Sequence, residues 1–277
     1  MSKIANFFKS KRGICAYDSI EVFMREIALA VGLKNKAIIE FLQANIKSKL
    51  DFCRTITTTY CDNNFCYLLF AFNKEFSALC EEAMKEVVID YIENVYKVNF
   101  LKENIKNPTN NTLAFNAYIK VLAVFDKSTD EKALKDIILF NQTFFIDSFL
   151  EFRLSPLKVH WLNLAHLSSD NIDLFNSGTF VDVIRFLINT MDNSVYKVKV
   201  VCDDETFKVY NIKKKNDKVQ KIAECKNCLD LISNVFNSCP NYVDVYVTTN
   251  SENEAVSFLS NVYKSRLKIF SKEAIKK

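Results

Sequence analysis

The chain has 277 residues, 49% of them hydrophobic and 25% charged, with a net charge of +4, the balance of a folded protein that buries its own core. Its 3 glycines (Gly13, Gly32 and Gly178) and 2 histidines exclude glycine-rich phosphate or dinucleotide loops and most histidine-based metal or base chemistry. The positive charge is mild and almost all lysine, so no nucleic acid is expected as a partner, arginine being the usual reader of base edges and phosphates.

Residues 1–17 read as an arm whose Ile4, Phe7 and Phe8 are expected to dock on the domain in preference to a membrane surface. The start lacks the apolar stretch of a secretory signal. No run reaches the ~18 apolar residues of a membrane span, so no integral membrane association is expected. The 9 cysteines are then expected to be reduced, in a cytoplasmic protein. Asp18 as a cap, followed by Ile20, Phe23, Met24, Ile27 and Val31 and closed by Gly32, predicts a first helix. A second starts at Asn35, with Ile39, Leu42, Ile46 and Leu50 as its stripe. The threonine-rich run Phe52–Tyr60 and the aromatic run Phe65–Phe72, joined by Asp62-Asn63-Asn64, predict a β-hairpin.

Asn73 opens a long helix whose apolar positions extend from Phe76 to Val95, with Glu81, Glu82, Glu86, Asp90 and Glu93 on a solvated face. After the Asn107–Asn111 loop comes a helix carrying Ala117, Tyr118, Val121, Leu122 and Phe125. Ser128 and Glu131 form a capping box, and the helix it starts is expected to run through Phe145 to Phe152. Ser155-Pro156 opens a short helix around Trp161, Asp170 begins a turn, and Gly178-Thr179 precedes a helix reaching Met191. Near Ser194 the hydrophobic period drops to two. Strands Tyr196–Cys202 and Thr206–Ile212, a lysine loop Lys213–Lys218, a helix over 225–238, a strand Tyr242–Thr248, a helix over 252–264 and a strand Leu267–Phe270 complete the chain. The fold class is therefore α+β: a mainly helical region, residues 1–192 with the hairpin near 52–72, and a small α/β module, residues 193–277, packed on it.

Cys225 and Cys228 form a Cys-x-x-Cys, a spacing that suits zinc or a redox pair. Zinc needs a second pair, and the nearest in style is Cys61 and Cys66, flanking the hairpin turn. Cys228 also shares a stripe with Ile232, Val235 and Phe236, so both thiols are expected to be structural, with no metal or cofactor. His160 and His166, six residues apart, fall on different helix faces and cannot act as an i, i+4 metal pair. Lys213–Lys215 has no interleaved aromatic residue and reads as a soluble loop tip. Asp147, Glu151 and Arg153 read as helix-end or ion-pair residues. No catalytic, cofactor-binding or metal residue is assigned.

The stretch Phe149-Leu-Glu-Phe-Arg-Leu154, then Phe180-Val-Asp-Val-Ile-Arg-Phe-Leu-Ile188, the strand Val195–Val201, Cys228-Leu-Asp-Leu-Ile-Ser233 and Cys239-Pro240 leading into Val243–Val247 resemble, in order and spacing, the YtxC-like sporulation protein family of endospore-forming Firmicutes. The resemblance covers roughly residues 140–250 and departs at Ile188–Asp192, where the family is more acidic. It implies a cytoplasmic, sporulation-associated protein that acts through contacts with a protein partner and has no established reaction or catalytic residues. Two rival readings stand beside it. One is an enzyme with a site where the helical and α/β parts meet. The other is a weak nucleic-acid or membrane-surface binder, which requires the lysines to gather in one patch.

Overall fold

A computed structural model describes residues 24–50, 55–106, 112–169, 177–191, 195–203, 206–212, 219–247 and 253–271. The expected N-terminal arm, the Asp170 turn and the Lys213–Lys218 loop lie outside the described residues. The protein is α+β, and it divides into two compact units, Met1–Tyr96 with Ser128–His160, and Lys97–Lys127 with Trp161–Lys277. That division is discontinuous in sequence, where the composition shift suggests one cut at residue 192.

The first unit is built on a four-stranded sheet. Its elements are β1 (Met24–Gly32), α1 (Lys36–Leu50), β2 (Ile56–Cys61), β3 (Phe65–Asn73), α2 (Ser77–Tyr91) and, later in the chain, β4 (Thr143–Phe145). The strand order is β2-β3-β1-β4. β3 pairs antiparallel with both β1 and β2, and β4 runs parallel to β1. The helix expected before Gly32 is thus a strand where the structure describes it. Ile27, Leu29 and Val31 alternate with Ala28 and Ala30, and all nine residues of β1 have partners on β3. Ile27, Leu29 and Val31 are buried on one face, against Phe70, Leu68 and Cys66. Ala28 and Ala30 form a second cluster on the other face with Tyr67, Leu69 and Ala71. Burial on both faces explains why β3 reads as an unbroken apolar run.

Asp147 anchors this unit. Its carboxylate accepts hydrogen bonds from the Gly32 backbone N–H (2.6 Å) and the Asn35 Nδ2 (2.7 Å), so it fixes the point where the chain leaves β1 for α1. A Cβ at Gly32 would sit 3.2 Å from the same carboxylate oxygen, so Asp147 would have to give by a few tenths of an ångström. The helix expected from Ser128 to Phe152 is interrupted: α5 (Lys127–Ile137) stops, β4 pairs with Ala28–Ala30, and a short turn at Ile146–Ser148 presents Asp147 before a π-helical turn at Phe149–Arg153. Helical spacing at Leu134, Ile137 and Ile138 gives way to the aromatic run Phe140 to Phe145. There Phe140 and Phe144 are buried edge to face, 5.2 Å apart, and strand pairing wins over helical continuation.

The second unit carries α3 (Lys97–Asn104), α4 (Thr112–Phe125), α7 (Ser177–Thr190) and a five-stranded sheet. Between them in the chain, α6 (Ser155–Ser169) contributes Trp161, fully buried. The sheet comprises β5 (Val195–Cys202), β6 (Phe207–Ile212), β7 (Val219–Cys225), β8 (Pro240–Val247) and β9 (Leu267–Ser271), with α8 (Cys228–Asn237) and α9 (Glu254–Tyr263) as crossovers. The order is β7-β6-β5-β8-β9. β6 is antiparallel to β5 and β7, while β5, β8 and β9 are parallel. β7 is absent from the sequence-based elements because Val219-Gln-Lys-Ile-Ala-Glu-Cys225 has no clean alternation and its register slips opposite Val209/Tyr210. α8 packs on β6 and β7, α9 on β8 and β9. Val198, Val200, Val243 and Val245 are fully buried in the core of this unit.

With so few glycines, two left-handed positions among the described residues fall to other residue types: Cys239 (φ 40°) and Lys264 (φ 48°). Cys239 follows the end of α8, its N–H donating to the Phe236 carbonyl (2.9 Å), and Pro240 then stops the helix. At the end of α9 the Tyr263 hydroxyl is buried without a hydrogen bond, a costly state for a polar group.

Asp147→Ala removes both hydrogen bonds of the β1–α1 junction and is expected to destabilise the protein by about 2 kcal/mol in urea unfolding; an unchanged midpoint would show that the junction holds without it. Tyr263→Phe deletes only the unsatisfied hydroxyl and is expected to raise stability by about 1 kcal/mol. A loss of stability would mean that the hydroxyl has a partner.

Candidate functional site

The residues singled out in the sequence do not converge. Cys225 ends β7, buried, and accepts from Asn234 Nδ2 (3.4 Å). Cys228 begins α8, half-buried, and faces Asn253 Oδ1 at 3.9 Å. Each thiol has its own asparagine, and neither is in a disulfide. Burial raises the Cys225 thiol above its ordinary range, with Asp230 adding to the effect. Burial does the same at Cys239. A raised thiol pKa suppresses the thiolate, the form needed for ligation or attack. Among the described residues, no group of three or more His, Cys, Asp or Glu side chains is placed to hold a metal ion. His160 and His166 are exposed along α6. Glu151 and Arg153 are also exposed, so of that trio only Asp147 is held in a defined structural role.

The thiols are not all reduced. Cys61 and Cys66 are cross-strand neighbours at the hairpin tip and form a disulfide, Cα–Cα 4.1 Å. Asp62 shapes the turn between them: its Oδ1 accepts from the backbone N–H groups of Asn64 and Phe65. The reduced-thiol expectation is corrected at this pair, because the hairpin register brings the two side chains together.

The acidic face of α2 is bound by cations from other elements. Arg25 pairs with Glu81 (2.7 Å), Lys135 with Glu82 (3.5 Å), and Lys49 with Glu86 (2.8 Å) and Asp90 (3.7 Å). Glu93 departs from the solvated face expected of it and is 3% exposed. The helix passes through a π-helical turn at Ile92–Tyr96, whose wider winding shifts side chains off the α-helical pattern. Asp130 is likewise buried in the first unit. In the second, buried Lys97 donates to the Ala123 carbonyl (2.8 Å) with its ammonium 5.6 Å from the Trp161 ring centre.

Two surfaces stand out among the described residues. The first is β2, an edge of the four-stranded sheet. Its sequence Ile-Thr-Thr-Thr-Tyr-Cys carries no charge and no proline, and its residues are largely exposed. The Asp62 N–H donates to the Phe65 carbonyl (2.9 Å). Antiparallel alternation from that pair makes Tyr60 and Thr58 hydrogen-bonded positions and turns the N–H and C=O groups of Thr57, Thr59 and Cys61 away from β3.

The second is the face of the five-stranded sheet opposite Val198, Val200, Val243 and Val245. Strand register gives one row of Lys221, Tyr210, Lys199, Asp244 and Lys268, one from each strand. The adjacent row holds Glu224, Lys208, Val201, Tyr246 and Phe270. Tyr246 and Phe270 stack at 5.1 Å with rings 21° apart, and Lys199 Nζ stands 4.5 Å from the Tyr246 centroid. Lys197 pairs with Asp244 (2.8 Å), which holds its pKa above the ordinary lysine value, and Lys208 pairs with Asp203 (2.8 Å). No single sequence window shows this face, because its residues come from five separate strands. The only local sign is the alternation Tyr196-Lys-Val-Lys-Val200. No helix among the described residues is long and apolar enough to cross a membrane.

In comparisons with known proteins, no family model, curated protein or solved structure matches the chain.

Iodoacetamide at pH 8 is expected to label Cys225 and Cys239 more slowly than a free cysteine, and to speed up as pH rises into the raised thiol range. Peptide mass mapping checks this; rapid labelling of Cys225 at neutral pH would show an activated thiol.

Proposed function

We propose that this protein is a non-enzymatic interaction protein, associated with sporulation as its YtxC-like resemblance implies, and that it meets its protein partner by strand addition at β2. The observation that carries the proposal is the state of that edge. Exposed sheet edges are ordinarily protected by lysine, proline, bulges or brevity. β7 has an irregular register and carries Lys221 and Glu224, β9 carries Lys268, and β4 is only 3 residues long. β2 has none of these safeguards. An extended segment of a partner would pair with the outward groups of Thr57 and Thr59, a recurring mode of peptide recognition. The Cys61–Cys66 cross-link holds the tip of that strand in register. The cytoplasm is the compartment we propose, in keeping with Cys80, Cys202, Cys225, Cys228 and Cys239 standing outside any disulfide, although the Cys61–Cys66 bond counts against it.

Thr59→Pro removes an outward N–H without touching the ladder to β3. Deleting the gene from an endospore-forming host is expected to lower the count of heat-resistant spores. The wild-type gene restores it, and the Thr59→Pro gene does not, although its product accumulates. Normal sporulation after deletion would remove the sporulation role; rescue by Thr59→Pro would remove the strand-addition role.

A further inference from the structure

We propose that the open face of the five-stranded sheet binds single-stranded nucleic acid, with a base stacking on the side of Phe270 turned away from Tyr246 and phosphates neutralised by Lys199 and Lys268. Charge alone would make a poor case, since the whole chain carries only +4. The arrangement makes a better one. A partner recognised by charge needs no rings, and one recognised by apolar contact needs no lysines. A chain of nucleobases and phosphates needs both in alternation.

On this face the ring pair Tyr246–Phe270, stacked at 5.1 Å, lies diagonal to Lys199 and adjoins Lys268 in the strand register. Lys199 and Lys268 form no ion pair among the described residues, whereas Lys197, Lys208 and Lys221 are held by Asp244, Asp203 and Glu224. Five strands at the usual spacing make a platform about 19 Å across, wide enough for several bases. None of these positions is an arginine, the side chain that forms bidentate contacts to guanine. Binding is therefore expected to tolerate sequence, with stacking instead of base-edge recognition as its source of affinity.

The test is fluorescence anisotropy of the full-length protein with a labelled single-stranded oligonucleotide of about 12 thymidines, a length within the usual site sizes of such platforms. Saturable binding is expected. With about two phosphates neutralised, the log–log salt slope is expected near −1.4, an affinity loss of about sevenfold between 50 and 200 mM salt. Phe270→Ala is expected to weaken binding about tenfold or more, as lost base stacking does, and Tyr246→Ala to weaken it less, by removing the ring that backs Phe270. Lys268→Glu, at an exposed position that leaves the core untouched, is expected to weaken binding and flatten the slope, and it keeps the test decisive if a ring variant fails to fold. Equal binding of a duplex of the same length, equal binding of polyglutamate, no binding of the single strand, or binding indifferent to both the ring and Lys268 variants would each overturn the proposal.

Discussion

Successive side chains of a β-strand leave on opposite faces, and the structure of each unit depends on how that constraint is met. In the first unit the central strands bury both faces: Leu29 and Leu68 on one, Ala30 and Leu69 on the other. The surface that sheet leaves for a partner is its edge. In the second unit one face is spent on the valines of β5 and β8. The opposite face takes the alternate positions, and there lysines and aromatic rings fall into rows. Asp147, joining Gly32 and Asn35, sets where β1 ends, and so bounds the strand against which β3 is held.

The chemistry of the ionisable groups points the same way. The α2 carboxylates are tied to Arg25, Lys49 and Lys135, and the Cys-x-x-Cys thiols are divided between two asparagines. Where protonation is displaced at Cys225, Cys239 and Tyr263, burial is the leading cause, and it favours the neutral form. Catalytic groups instead combine a shifted pKa with a partner aimed at a substrate. The buried charges Glu93, Asp130 and Lys97 are features of the interior, and Lys97 is satisfied there by a carbonyl and an indole ring.

How much of this is legible in the sequence depends on the range of the interaction. The hairpin tip, the asparagine cap at Asn73 and the alternation from Tyr196 to Cys202 are local and can be read directly. Residues 24–32 mislead because helical and strand spacings overlap there, and pairing with β3 decides the outcome. Residues 138–145 mislead for the same reason, the deciding partner being β1. Glu93 turns inward because of a π-helical turn that no residue type announces. The lysine–tyrosine face depends on four strand registers at once, and the Cys61–Cys66 bond on one register that the hairpin turn makes visible in retrospect.

If strand alternation governs what each sheet can offer, the unpartnered protein should show it amide by amide along β2. Hydrogen exchange followed by NMR measures this directly. Thr57 and Thr59 should exchange rapidly, and Thr58 and Tyr60, bonded to β3, should be protected. Protection at Thr57 and Thr59 in the free protein would mean that the edge is already covered, and the account of its open surface would be contradicted.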